Sequence, residues 1–121
     1  MTDQISVDEY GVFVFKLIKP GEEIAKNITP EEANLWHLAT GIAGEAGELL
    51  DAIKKHVIYK KPQDLNNIIE ELGDLEFYME GLRQALSLSR NDIILKNIDK
   101  LSIRYGNTYS NKSAIDRRDK K

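Results

Sequence analysis

Leu65, Ile68, Leu72, Leu75, Met79, Leu82 and Leu86 follow one another at steps of three, four, three, four, three and four residues. Steps of that kind follow the turn of an α-helix and put all seven side chains on one stripe, which a chain in water must cover with other helices. A strand cannot use the pattern, because its side chains alternate with a period of two. The segment from near Asp64 to about Leu86 is therefore predicted as a long helix, and the fold class as all-α, four-helix-bundle-like.

The neighbouring segments read the same way. Thr29, Pro30, Glu31 and Glu32 form a helix start: a capping hydroxyl, a proline at the first helical position, and acids at the positive end of the helix dipole. That helix should run toward Tyr59. Ser89, with Asp92 three residues on, caps a last helix whose apolar positions are Ile94, Ile98, Leu101 and Tyr105, and Gly106-Asn107 stops it. Before all of these, Ser6 to Glu9 is a capping-box pattern leading into a helix over about 7–18. A strand through Val12 to Phe15 competes with it, because β-branched and aromatic residues crowd there. Pro20-Gly21 breaks the chain, and a connection with a helical turn near Glu23 leads to Asn27. The 121 residues suffice for one domain, divided into an N-terminal helix and connection (1–28), a helical core (29–106) and a charged C-terminal arm (107–121).

Composition narrows the chemistry. The chain has a net charge of −3 and no cysteine, so it lacks the basic footprint of a nucleic-acid binder and has no disulfide, thiolate ligand or thiol nucleophile. The N-terminus carries Asp3, Asp8 and Glu9 rather than a basic leader with an apolar run, and no stretch reaches a membrane span. A soluble, cytoplasmic protein with no nucleic-acid and no membrane partner is expected.

Two acidic pairs stand out, Glu45 with Glu48 in GEAGELL and Glu71 with Asp74 in EELGDLEF. Residues three apart on a helix share a face, so two packed helices can bring four carboxylates together. The core stripe of the second helix is Ile42, Ala46, Leu49 and Ile53, and one residue before Ala46 and Leu49 stand Glu45 and Glu48. One residue before Leu72, Leu75 and Met79 stand Glu71, Asp74 and Tyr78, and one before Ile98, Leu101 and Tyr105 stand Asn97, Lys100 and Arg104. One residue is about 100° of helix, so all these groups flank the core at its edge, whereas Glu70 falls on the solvated side. Clustered carboxylates repel one another unless cations neutralise them, and an all-oxygen site suits Mg²⁺ or Mn²⁺. Neither His37 nor His56 lies three residues after an acid, which argues against the di-iron carboxylate motif.

Other residues carry two readings each. Lys54 and Lys55 either meet substrate phosphate or pair with Asp51. Phe77 and Tyr78 either stack on a base or fill the core. Gly41, Gly44 and Gly47 recur every three residues, each costing about 1 kcal/mol relative to alanine in a helix interior. Either the helix bends or breaks near Gly41 to Gly44, or a partner helix or ligand approaches its backbone closely.

GEAGEL, the later ELGDLEFY, then NIDKLSIRYG and the terminal AIDRRD resemble the MazG-like members of the all-α nucleoside triphosphate pyrophosphohydrolase superfamily, which includes the dimeric dUTPases. The resemblance covers most of residues 30–118. It implies a four-helix core assembling as a homodimer or homotetramer, with Mg²⁺ held by Glu45, Glu48, Glu71 and Asp74. It further implies hydrolysis of a nucleoside triphosphate between its α and β phosphates, one carboxylate orienting or deprotonating the attacking water. Lys100 and Arg104 would bind phosphates, Asn97 the sugar or base, and Arg117 would close over the substrate. Glu76, where the family usually has an apolar residue, and Phe77, where it commonly has tryptophan, depart from the pattern. The alternatives are a non-catalytic oligomeric helical module with a structural metal site, or a hydrolase of a nucleoside diphosphate or an alarmone.

Overall fold

The computed structural model describes residue 4, residues 6–106 and residues 108–120; Asp3 and Asn107, both invoked above, lie outside the described residues. The chain is all-α: α1 Val7–Leu17, α2 Gly21–Lys26, α3 Pro30–Val57, α4 Leu65–Ala85, α5 Arg90–Tyr105 and α6 Asn111–Asp116, followed by a 3-10 turn at Arg118–Lys120. No helix is long and apolar enough among the described residues to cross a membrane. Met1–Ala33 and Asn34–Lys121 form two compact units.

In the first unit the helix prevails over the strand at Val12 to Phe15, because the cap decides it. The Glu9 N–H donates to the Ser6 hydroxyl at 3.0 Å, and the rings of Tyr10 and Phe13 stack at 6.5 Å, one turn apart. The turn expected near Glu23 is a short helix of six residues, α2. Thr29 and Glu32 form a full capping box at the start of α3: the Glu32 N–H donates to the Thr29 hydroxyl at 3.1 Å and the Thr29 N–H to the Glu32 carboxylate at 3.0 Å.

The second unit is built on α3 and α4, which run antiparallel. Leu38 meets Gly81, Gly41 meets Tyr78 and Glu45 meets Asp74, so residue numbers rise along one helix as they fall along the other. Helix α3 continues unbroken through Gly41, Gly44 and Gly47. The bend or break is therefore absent, and close approach explains Gly41 alone of the three, because the Tyr78 ring lies against it while nothing among the described residues comes within 4 Å of a Cβ at Gly44 or Gly47. Beyond α3 the chain turns with Lys60 in the left-handed region, and His56 Nδ1 donates to the Lys61 carbonyl at 2.8 Å. Asp64 then caps α4, and Ser89 caps α5. Gly106, at φ 68°, ends α5 in a conformation costly for a side chain.

The stripe on α4 is helical as predicted but largely uncovered. Ile68 is buried, whereas Leu65, Leu72, Met79 and Leu86 are 58%, 49%, 38% and 47% exposed. Ala52 and Ile68 are the buried apolar residues among those described. The C-terminal arm is more ordered than its charged composition suggests. Ser110 caps α6, and both α6 and the 3-10 turn pack on α5.

Candidate metal centre

Helices α3 and α4 bring Glu45, Glu71 and Asp74 together, each offering a carboxylate oxygen, with the three oxygens all within 4.8 Å of one another. Glu45 and Glu71 are half-buried and Asp74 is exposed. Glu70 is exposed, on the solvated side as its offset requires. Glu48, one turn along α3 from Glu45, is exposed and stands outside this group of three. Its charge still reaches Glu71. Burial, a hydrogen bond to Glu45 and the charges of Glu45, Glu48 and Asp74 together hold the Glu71 carboxyl above the ordinary carboxylate range. A carboxyl raised by burial and by its like-charged neighbours is a group whose charged form lacks a counter-charge. The donor set is all oxygen, which fits Mg²⁺ or Mn²⁺ and offers neither a thiolate nor an imidazole.

One turn from the cluster, the half-buried Tyr78 ring meets His37 edge-on at 6.1 Å and Phe77 edge-on at 5.2 Å. Phe77 is 69% exposed and lines an open groove of about 390 Å³ with Leu38, Glu76, Glu80, Gly81 and Gln84. Glu76, out of place as an apolar position, has a partner: Arg83 Nη2 donates to it at 2.6 Å, and Arg83 Nε donates to Glu80 at 2.9 Å. The Arg83 side chain is only 9% exposed, so an acid at position 76 offsets a buried guanidinium, and that pairing holds the Glu80 carboxyl below its ordinary range.

The basic residues fall elsewhere. Lys55 pairs with Asp51 at 3.1 Å, the salt-bridge reading, and Lys54 lies over the Tyr59 ring at 5.6 Å. Asn97 is exposed and Lys100 half-buried. Both line a groove of about 470 Å³ with Ile93, Lys96, Asp119 and Lys120, and none of the four acids borders it. Arg104 is engaged: its Nε donates to Asp119 Oδ1 at 2.7 Å and its Nη2 to Asp119 Oδ2 at 3.1 Å. Its side chain is 14% exposed and that of Asp119 is 3% exposed. Arg118 adds a hydrogen bond to the Arg104 carbonyl at 3.3 Å. The guanidinium expected to meet phosphate is thus spent within the chain. Arg117 is exposed and caps α6 in the left-handed region. The sequence reading missed Asp119 and Arg83; the only trace of Asp119 was the clustering of charges in RRDKK.

The described chain is thus all-α, with a hairpin of α3 and α4 that brings three carboxylates together. The model of the MazG nucleotide pyrophosphohydrolase domain matches residues 34–108, and the chain belongs to that family. The match begins where the second compact unit begins and takes in α4, α5 and all of α3 but its first turn. Comparison with curated proteins and with solved structures gives no match.

Proposed function

We propose that the chain is a Mg²⁺-dependent nucleoside triphosphate pyrophosphohydrolase that releases a nucleoside monophosphate and pyrophosphate. The observation that carries the reading is the convergence of Glu45, Glu71 and Asp74 within 4.8 Å, inside the segment that matches a nucleotide pyrophosphohydrolase domain. These three carboxylates would hold the metal, with Mn²⁺ as a substitute, and Glu48 is the fourth acid of the set. When bound, the cation neutralises phosphate charge and lowers the pKa of a coordinated water. Phosphoryl transfer asks for charge neutralisation and in-line positioning more than covalent help, so the chain needs no nucleophilic side chain. One of the carboxylates orients the attacking water or takes its proton. Lys100 contacts phosphate, Asn97 the sugar or base, and Phe77 and Tyr78 offer aromatic faces one turn from the acids. Arg104 joins them only if released from Asp119.

The reading includes a homodimer or homotetramer, because Leu65, Leu72, Met79 and Leu86 stay open to solvent in one chain and a stripe of this kind is ordinarily covered. Light scattering on the purified protein tests this point.

The decisive assay is pyrophosphate release from a panel of NTPs and dNTPs with and without Mg²⁺. Turnover that requires Mg²⁺ and disappears in Glu71→Gln and Asp74→Asn is expected. An unchanged rate in either variant would sink the site assignment. Metal-raised thermal stability without turnover of any nucleotide would favour a non-catalytic module with a structural metal site.

A further inference from the structure

The α3–α4 hairpin is closed by two reciprocal notches. A Cβ on Gly41 would lie 2.5 Å from Tyr78 Cγ and closer still to Cδ1 and Cε1. A Cβ on Gly81 would lie 2.8 Å from Leu38 Cδ2. Each helix therefore inserts one side chain where the other has none. The two contacts are not equally yielding. Leu38 Cδ2 is the end of a flexible side chain and can swing aside. Tyr78 Cγ sits next to its own Cβ, so it cannot leave Gly41 without a new rotamer or a shift of backbone.

The Gly41 notch is one turn from the acids on both helices. Gly41 precedes Glu45 by four residues and Tyr78 follows Asp74 by four, about 6 Å of rise in each case. Restoring an ordinary carbon–carbon separation at an alanine would part the helices locally by about 1 Å or rotate one of them. Ligand sets tolerate about 0.5 Å before they lose their geometry. Gly44, closer to Glu45 in sequence, has nothing among the described residues within 4 Å of its Cβ position.

We propose that Gly41, supported by Gly81, is a positioning residue for the carboxylate cluster: the notches fix the α3–α4 register on which the spacing of Glu45, Glu71 and Asp74 depends. This rests on the metal-site reading above. It assigns the glycines no contact with metal or substrate.

The test is Mn²⁺ binding to the purified protein, followed by the electron paramagnetic resonance signal of free Mn²⁺, with helix content from circular dichroism. Gly41→Ala should raise the Kd about tenfold or more, in the range that displaced supporting groups cost a metal site, at unchanged helix content. Gly81→Ala should raise it less, and Gly44→Ala should leave it unchanged. Gly41→Ala/Tyr78→Ala, which removes the ring the new methyl strikes, should bring the Kd back toward that of the unaltered chain. A Gly41→Ala protein with unaltered Kd, or a double variant as weak as the single, overturns the proposal. If Gly41→Ala alone does not fold, Gly81→Leu, whose bulk Leu38 cannot clear by swinging aside, decides: weaker Mn²⁺ binding supports the register role, and unchanged binding overturns it. An unaltered chain that binds no Mn²⁺ removes the metal-site reading itself, an outcome distinct from binding that ignores Gly41.

Discussion

Replacing Gly44 and Gly47 together by alanine should stabilise the protein, although both flank the acids. Each lies in the interior of α3 with nothing among the described residues within 4 Å of its Cβ position, so the new methyl groups meet none of those residues. What remains is helix propensity, about 1 kcal/mol per glycine exchanged for alanine. The two sites share no side-chain partner that would couple them, so about 2 kcal/mol is expected for the pair. For a chain of 121 residues that corresponds to a rise in Tm of about 8 °C, taking roughly 4 °C per kcal/mol. The assay is thermal unfolding by circular dichroism without added metal, at several protein concentrations, since association would make Tm concentration-dependent. A fall in Tm would refute the reasoning. It would mean that something outside the single chain, such as a second copy, comes as close to Gly44 or Gly47 as Tyr78 comes to Gly41.

Glu71→Gln should raise the Tm of the metal-free protein near neutral pH while abolishing Mn²⁺ binding. Its carboxyl is held above the ordinary range first by burial and then by Glu45, so the folded chain binds that proton more tightly than the unfolded one. The penalty applies above the folded value and fades as pH falls through it, and the gain from Glu71→Gln should shrink with it in a pH series of melts. Asp119 has the opposite sign. Hydrogen bonds from Arg104 hold its carboxyl below the ordinary range, so its stabilisation is present above the unfolded carboxylate value and lost as pH falls through the folded one. Asp119→Asn should lower Tm at pH 7 and differ progressively less from the unaltered chain in acid. Ser87 adopts φ 55° just past α4, where an L-residue pays about 1 kcal/mol or more; Ser87→Gly should gain up to about 1 kcal/mol in a urea melt.

Features within one helix were legible in the sequence. The hydroxyl caps at Ser6, Thr29 and Ser89 act over three residues, and the preference for Glu71 over Glu70 needed only the 100° step. Pairings that depend on how distant segments meet were not. Asp119 lies 15 residues from Arg104 across a turn and a short helix, with no periodicity to announce it, and the family resemblance pointed Arg104 instead to phosphate. The offset predicts Asn97 and Lys100 at the edge of the core; Lys100 is half-buried and Asn97 is exposed. The offset could not say whether that edge meets α3 and α4 within one chain, and their groove holds none of the acids. The triplet of glycines had a single spacing but two physical causes, because only Gly41 faces an aromatic ring on the other helix.

The antiparallel register of α3 and α4 also constrains how this chain can change in length. Pairs such as Leu38 with Gly81, Gly41 with Tyr78 and Glu45 with Asp74 all sum to 119, so both helices must keep their count between the notches and the acids. One residue inserted there would turn every later side chain by about 100° and carry a carboxylate off the shared face. The connection from Ile58 to Asp64 is under no such rule: its residues are exposed, and lengthening an exposed connection costs only the slow logarithm of loop closure. Relatives of this chain should therefore vary in length between the two helices and keep a fixed count within them.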